Sequence, residues 1–223
     1  MQQSCSKRTK SPMDQSLKIK NWIVEDSPSK LHQIDNTEIN IAIQNRDIAH
    51  LSHEIDTLLN NEVEIRFKGD AQSIVKDIEN ELEEYPLIKN DVISLLKLFK
   101  EITKSNGYRI LLATINSNMC RKFHTDINDL RMLCTYKGPG TLWLSENNIN
   151  RKALESRSEN NNIVIDENKI KQAETGSVVL LKGALYPKEG TNAIVHRSPT
   201  IEESGKKRLL LRIDTNEFLN FLQ

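Results

Sequence analysis

The feature that most constrains the fold of this chain is a change of hydrophobic pattern near residue 108. Beyond that position, short runs rich in Ile, Leu and Val alternate with clusters of Gly, Pro, Asn and Ser. The runs are YRILLATI, LRMLCTY, TLWL, GSVVLLKG, NAIVH and KRLLLRID. Because no helical pattern separates most of them, they predict a β-sandwich or barrel and argue against a Rossmann unit.

The preceding part of the chain has a helical pattern instead. Apolar residues recur at helical spacing in three segments, which we predict as helices over about 46–60, 70–85 and 90–104. Asn45 is expected to cap the first helix, and Pro86 is expected to end the second.

This division predicts an α+β protein whose residues 34–223 form one structural domain. Residues 1–33 are rich in Ser, Lys and Gln and are predicted to be a mobile N-terminal tail, part of which Trp22 and Ile23 would anchor on the body. Residues 34–107 would form a helical and mixed region that buttresses a β core over residues 108–223.

Charge and cysteine content argue against several classes of function. The chain has 31 basic and 31 acidic residues, so no general field would draw it to nucleic acid or to a membrane surface. It lacks a run of about eighteen apolar residues, which argues against a spanning helix. Cys5, Cys120 and Cys134 are an odd set without a CxxC pair, so we expect free thiols in a reducing cytoplasm.

The stretch KFHTDIN contains a candidate metal site. Residues i and i+2 of a strand face the same way, so His124 and Asp126 would project together. An imidazole beside a carboxylate is two thirds of the facial triad of non-haem iron(II) sites, which leaves open positions for water, dioxygen or substrate. His196, at the end of an apolar run, would be the third ligand. The alternatives are an exposed turn for the first two residues and a satisfied core histidine for the third.

The segment RLLLRID contains two candidate anion-binding residues. As a strand, it would place Arg208, Leu210, Arg212 and Asp214 on one face and Leu209, Leu211 and Ile213 on the other. If the leucine face packs on the helices, both arginines point into the barrel, where a guanidinium would hold the far carboxylate of a dicarboxylic cosubstrate. The alternatives are an outward-facing arginine row and an internal pair with Asp214. Less favoured candidates for the same role are Arg131, Arg121 and Lys182.

Cys120 makes zinc the alternative metal. It shares strand parity with His124 and Asp126 if the strand extends that far back, and a thiolate with an imidazole suits zinc better than iron. The other interpretation of Cys120 is a small buried apolar residue.

Three segments carry a further signal: CRKFHTDINDLRMLCTYKGPGTLWL (120–144), GSVVLLKGALYP (176–187) and VHRSPTIEESGKKRLLLRID (195–214). In order and spacing they resemble the signature blocks of a bacterial family, domain of unknown function family eighteen-twenty-six. The resemblance covers most of residues 108–214, and the helical part resembles the family only loosely. It implies a cupin-like, jelly-roll barrel (a double-stranded β-helix), buttressed by the N-terminal helices, in which His124, Asp126 and His196 converge.

The family is also similar to iron(II)- and 2-oxoglutarate-dependent oxygenases in its fold and in its His-x-Asp, His, Arg order. That analogy implies Fe(II) as the metal and 2-oxoglutarate as cosubstrate. Arg208 matches the family pattern and Arg212 does not, so Arg208 is favoured as the cosubstrate anchor. The same blocks imply further residues near the site, namely Thr135, Tyr136, Lys182, Arg197 and Ser198.

Two main functions follow from these signals, and a non-catalytic jelly-roll binding module with a vestigial site is a third alternative. The first is a mononuclear Fe(II)/2-oxoglutarate-dependent dioxygenase acting on an unidentified small-molecule or protein substrate. The second is a zinc-binding cupin-like protein, either a hydrolase or a zinc-homeostasis module, without oxidative chemistry. Family members are often encoded beside zinc-handling GTPases, and this supports the second function. Because cupin-like barrels often pair, a homodimer is an expected assembly.

Overall fold

The computed structural model describes residues 20–215. Its strands are β1 (Trp22–Glu25), β2 (Ile41–Gln44), β3 (Glu64–Gly69), β4 (Tyr108–Ile115), β5 (Leu130–Lys137), β6 (Leu142–Trp143), β7 (Lys171–Gln172), β8 (Val178–Lys182), β9 (His196–Arg197) and β10 (Arg208–Thr215). Its α-helices are α1 (Ser52–Asn60), α2 (Ala71–Glu81), α3 (Pro86–Thr103), α4 (Arg151–Glu155) and α5 (Asn160–Ile163). Residues 1–19 and 216–223 lie outside the described residues. The first range includes Cys5 and most of the predicted tail, and the second is the end of the predicted core.

The strands form two sheets. The larger one has seven strands in the order β1-β2-β8-β5-β10-β4-β3, antiparallel throughout except for the parallel pair β1–β2. The smaller sheet has the order β7-β6-β9, and an antiparallel bridge between His124 and His196 adds a fourth segment beside β9. Beyond β5 the chain passes back and forth between the two sheets, which makes the predicted double-stranded β-helix the fold of this chain.

The helices cover one face of the larger sheet, and the smaller sheet covers the other. Along β10, Leu209, Leu211 and Ile213 join the core beneath α1, α2 and α3, whereas Leu210 joins a second core between the sheets. The side chains of a strand alternate between its two faces. The residues of β10 with the parity of Leu210 therefore face the space between the sheets.

The helical region is anchored by its caps as well as by its apolar face. Asp70 accepts hydrogen bonds from the backbone N–H groups of Gln72 and Ser73 and so caps α2. The buried carboxylate of Glu54 on α1 accepts from the backbone N–H groups of Leu87 and Ile88, which are free donors in the first turn of α3. This contact fixes α3 against α1.

The helix boundaries differ from prediction at three places. Asn45 does not cap the first helix, because a 3-10 turn at Ala49–Leu51 precedes α1. Pro86 begins α3 instead of ending α2, as its fixed φ and missing N–H allow at a first helical position. The helix α3 therefore starts at Pro86 and not near residue 90, and it ends at Thr103, after which Lys104 adopts the left-handed conformation with φ 54°.

Residues 22–35 carry more structure than the predicted tail would. Strand β1 pairs with β2, and a 3-10 helix follows over Pro28–Asp35. Trp22, one of the two expected anchors, meets Trp143 of the smaller sheet with ring centroids 5.7 Å apart. Aromatic burial thus fixes this segment on the body. None of the helices in the described range combines the length and the apolar character that crossing a membrane requires.

Candidate metal centre

His124, Asp126 and His196 converge at one end of the space between the sheets. The two histidines form a reciprocal backbone pair, each N–H donating to the other carbonyl at 3.0 Å, and their ring centroids are 4.7 Å apart. Asp126 follows outside any strand. The expectation that strand alternation aligns His124 with Asp126 is therefore wrong in its cause, although the two side chains do meet.

The geometry of these three side chains fits a single metal ion. Nε2 of His196 lies 3.3 Å from Oδ2 of Asp126, and Nε2 of His124 lies 3.6 Å from Oδ1. Two donor atoms about 2.1 Å from one ion are about 3 to 3.4 Å apart at the usual coordination angles. The donor atoms of the three residues all lie within 4.8 Å of one another.

The other ring nitrogen of each histidine contacts the backbone. Nδ1 of His124 is 2.9 Å from the carbonyl of Lys122, and Nδ1 of His196 is 3.3 Å from the carbonyl of Ile194. A carbonyl can only accept, so each Nδ1 carries a proton. The Nε2 of each ring faces Asp126 and, once it has lost its own proton, can offer a lone pair to a metal ion. Such contacts orient histidine ligands around a metal.

Asp126 is held by charge as well as by the histidines. Arg131 on β5 donates to its Oδ2 and also pairs with Asp214 on β10, 2.6 Å from Nε to Oδ1. Burial tends to raise the pKa of Asp126, but hydrogen bonds from both histidines outweigh it and lower that pKa well below its usual range. Hydrogen bonds with Asp126 and Cys120 raise the pKa of His124 to about 10. In the metal-free protein, a proton on His124 therefore stabilises its contact with Asp126, the place where a metal ion would bind.

Arg208 and Arg212 both line the small cavity, of about 60 Å³, that adjoins the two histidines. The leucine face of β10 does pack toward the helices, which is why both arginines point the other way. Arg208 is 1% exposed, and its terminal nitrogen donates to Thr135 Oγ1 at 3.1 Å. Within the described residues no acceptor contacts its Nε and no carboxylate neutralises it. Burial lowers its pKa to about 10.

Arg212 combines two of the interpretations that the sequence left open. It lines the cavity, and its Nε also lies 3.1 Å from Oδ2 of Asp214. The same aspartate serves Arg131, so one carboxylate is shared by two guanidinium groups. Arg212 remains 31% exposed.

The glycine of the LLKG segment lets the Asp126 loop approach β8. A Cβ at Gly183 would meet the carbonyl oxygen of Asn128 at 2.2 Å, which is closer than atoms can pack. The backbone N–H of Ala184 donates to the carbonyl of Asp126 at 2.9 Å. A glycine is therefore required where this loop is anchored.

The residues that the resemblance implied near the site divide into two groups. Thr135 contacts Arg208, and Ser198 lines the cavity. Three others lie elsewhere: Tyr136 bonds to Asp91 beneath the helices, Lys182 to the carbonyl of Asn36, and Arg197 stacks over Phe123. Arg131, which sequence reasoning ranked low, contacts Asp126 directly. The alternation of Arg131, Leu133 and Thr135 along LRMLCTY is the signal that could have placed it in the cavity.

Cys120 lines the cavity but is not one of the converging donors. Within residues 20–215, three His, Cys, Asp or Glu side chains bring their donor atoms within 4.8 Å of one another: His124, Asp126 and His196. The thiol of Cys120 does form a hydrogen bond with His124, which lowers its pKa. It therefore neighbours the candidate centre without completing it.

A family model described as "protein of unknown function (DUF1826)" matches residues 25–214. This span includes the whole smaller sheet, nearly all of the larger sheet except most of β1, and every residue of the candidate centre. No curated protein sequence matches the chain.

Several solved structures share a distant likeness. A rice dioxygenase for auxin oxidation has 9% identity and a TM-score of 0.48, over 86% of this chain and 82% of that one. A full-length Neurospora crassa protein, in complex with α-KG and 5-formyluracil, has 11% identity and a TM-score of 0.43, over 87% and 83%. A Pseudomonas putida prolyl-4-hydroxylase has 11% identity and a TM-score of 0.43, over 84% and 92%.

Proposed function

The chain belongs to the DUF1826 family, and we propose that it is a mononuclear non-haem Fe(II) enzyme that uses 2-oxoglutarate to oxidise a substrate. The observation that carries this proposal is the pairing of two unsatisfied needs on one cavity. Two of the three candidate metal ligands, His124 and His196, line the cavity. The buried guanidinium of Arg208 lines it too and has no carboxylate partner among the described residues. A cosubstrate that chelates the metal at one end and carries a carboxylate at the other meets both needs.

The histidines and the aspartate would hold the metal. A set of two imidazoles and one carboxylate occupies one face of an octahedral ion, which is the arrangement typical of Fe(II) oxygenases. The contacts of His124 and His196 with backbone carbonyls keep their Nε2 atoms available. Arg131 holds Asp126 in place, so the carboxylate needs little reorganisation when the ion binds.

Arg208 and Thr135 would bind the distal carboxylate of 2-oxoglutarate. The planar fork of a guanidinium matches a carboxylate, and a threonine hydroxyl can donate one further hydrogen bond. An anion at this position would satisfy a buried charge that the described residues leave uncompensated. When bound, iron with 2-oxoglutarate and dioxygen supplies the oxidising power, and the cosubstrate leaves as succinate and carbon dioxide.

Metal and cosubstrate binding test the proposal separately. His124→Ala and His196→Ala are expected to abolish stoichiometric Fe(II) binding under anaerobic conditions, with His53→Ala, a change of an exposed helix residue, as the matched control. Arg208→Met is expected to keep Fe(II) while weakening 2-oxoglutarate binding at least about tenfold, because a charge-assisted bidentate contact is lost. Arg157→Met, a change at an exposed arginine outside the cavity, is the control. Unchanged iron content in both histidine variants would refute the metal assignment.

Zinc binding without oxidative chemistry is the second candidate function. The hydrogen bond between Cys120 and His124 favours it, since a thiolate that moved toward the centre would give a zinc-type donor set. The absence of Cys120 from the converging donors of the described chain favours the first candidate.

We also propose that the protein works in the reducing cytoplasm of a bacterium, as a homodimer and without nucleic-acid partners. Cys120 and Cys134 are free thiols, which suits a reducing compartment. The balance of 31 basic and 31 acidic residues gives no overall attraction for polyanions. Size-exclusion chromatography with light scattering at micromolar concentration tests the dimer, and a single monomeric species contradicts it.

A further inference from the structure

The part of the larger sheet from β10 to β3 presents basic side chains on one face, beside the candidate centre. Strands β3 and β4 continue this sheet beyond β10, and Ile65, Phe67, Ile110 and Leu112 pack toward the helices. By alternation, the neighbouring residues of the same strands face the side on which the cavity lies. The basic residues on this face are Arg66, Lys68, Arg109, Arg131, Arg208 and Arg212.

Arg212 is the basic residue of this face that lies between the cavity and strands β4 and β3. It lines the cavity with Arg208, four residues earlier on the same strand. Its register partner on β4 is Leu111, and the partner of Leu111 on β3 is Arg66. Two arginines thus flank one leucine, about 10 Å apart at their Cα atoms, since adjacent strands are about 4.8 Å apart.

The charges at the cavity do not balance once the proposed cofactors are counted. Arg131, Arg208 and Arg212 contribute three positive charges, and the two aspartates they face, Asp126 and Asp214, contribute two negative ones. Fe(II), its proposed ligand Asp126, the 2-oxoglutarate dianion and Arg208 would together carry no net charge. Arg131 and Arg212 then share one carboxylate, that of Asp214, so one positive charge is left at their end of the cavity. The nearby Arg66 of β3 adds none, because Glu64 pairs with it at 2.9 Å.

We propose that Arg212 binds an anionic group, a phosphate or a carboxylate, of a small-molecule substrate beside the metal centre. This rests on the proposed function and adds the chemical class of the substrate. The shortest contact of Arg212 with a carboxylate joins its Nε to Oδ2 of Asp214 at 3.1 Å, and its terminal amino groups donate no hydrogen bond to residues 20–215. They can donate two parallel hydrogen bonds to one anion. With Arg208 holding the cosubstrate, the two arginines on one strand would serve two different anions.

A small molecule fits this arrangement better than a polyanion. The cavity is small, and beside the proposed cosubstrate it offers the guanidinium of Arg212 as the cation for a second anion, which suits a single anionic group. Polyanion binding depends on many cations distributed over a surface, whereas this chain has balanced overall charge.

Inorganic phosphate is the probe for this site. The line width of its ³¹P resonance, followed as metal-free protein is added, reports millimolar binding without any need for metal or turnover. We expect broadening with the wild-type chain and a dissociation constant at least about tenfold weaker for Arg212→Met. The broadening should persist in protein that holds diamagnetic Zn(II) and saturating 2-oxoglutarate. Arg157→Met is the matched control and should behave as the wild type. Acetate, added as competitor, distinguishes a phosphate site from a carboxylate site.

Three results would overturn the proposal. Broadening by Arg212→Met equal to that of the wild type means that Arg212 does not bind the anion. Displacement of phosphate by 2-oxoglutarate, together with loss of broadening in Arg208→Met, means that phosphate occupies the cosubstrate position. Loss of 2-oxoglutarate binding in both Arg212→Met and Arg212→Lys means that Arg212 serves the cosubstrate or the folded site. If 2-oxoglutarate fails to bind the wild type while phosphate binding still depends on Arg212, the anion site stands and the oxygenase proposal falls.

Discussion

Replacing Arg131 with methionine should destabilise the metal-free protein by about 3 kcal/mol. The Arg131 side chain is 17% exposed, and its partners Asp126 and Asp214 are 15% and 5% exposed. Removing one partner of a buried ion pair costs about 3 to 5 kcal/mol, because a charge is left without compensation. The low end applies here, since Asp214 keeps Arg212 at 3.1 Å and Asp126 keeps His196 at 3.3 Å.

Urea denaturation in the presence of a chelator measures this effect. The matched control is Arg66→Met, which removes an ion pair of an arginine that is 62% exposed and should cost less than about 1 kcal/mol. A double-mutant cycle with Asp214→Asn should give a coupling free energy of at least about 1 kcal/mol, because Arg131 and Asp214 are in direct contact. If Arg131→Met and Arg66→Met shift the unfolding free energy equally, Arg131 does not hold the site together in the way its contacts indicate.

Three further predictions concern the residues around the centre. Cys120→Ser should keep the affinities for Fe(II) and Zn(II) within about twofold of the wild type in metal titrations, since the thiol is outside the converging donor set. A loss of zinc affinity of about tenfold would favour the second candidate function, zinc binding without oxidative chemistry. Gly183→Ala should weaken metal binding at least about tenfold, because its new Cβ would meet the Asn128 carbonyl oxygen at 2.2 Å and displace the loop of the aspartate ligand. The control is Gly190→Ala, where nothing lies within 4 Å of the new Cβ and the φ of 78° strains only the local backbone. It should bind metal as the wild type does, and equal affinity in both variants contradicts the explanation. Burial lowers the pKa of Lys182 from 10.5 in the unfolded chain to about 8, so between these values the unfolded state holds more protons and stability should rise with pH. Relative to Lys182→Met, the unfolding free energy of the wild type should increase by about 1 to 2 kcal/mol from about pH 7 to about pH 9.5 in urea titrations, and a constant difference would show that this lysine is not desolvated.

The parts of the site that lie on regular strands could be predicted from the sequence. In RLLLRID the period of two placed the leucines against the helices and both arginines in the cavity, because the pleat leaves no other arrangement once one face is buried. The same rule applied to LRMLCTY would have placed Arg131 on the same face of the strand as Thr135. The sequence could not show that Arg131 meets Asp126 and Asp214, since a guanidinium in a cavity has several carboxylates within reach.

Other features depend on contacts that no local pattern contains. Asp126 meets His124 outside any strand, so its position depends on the anchoring of its loop at Gly183. Tyr136 lies on the face of β5 that packs against the helices, where its hydroxyl donates a hydrogen bond to Asp91. Arg46, distant in sequence, donates to the same carboxylate. Pro86 is equally suited to follow one helix or to begin the next. The buried Glu54, which accepts from the first N–H groups of α3, favoured the second outcome.

The most direct test of the central claim is anaerobic reconstitution of the untagged protein with Fe(II), followed by metal analysis and a visible spectrum on addition of 2-oxoglutarate. One Fe(II) per chain, and a weak visible charge-transfer band that appears with 2-oxoglutarate and is lost in Arg208→Met, is the predicted result. Stoichiometric zinc that Fe(II) does not replace, with no band on adding 2-oxoglutarate, would contradict the oxygenase proposal.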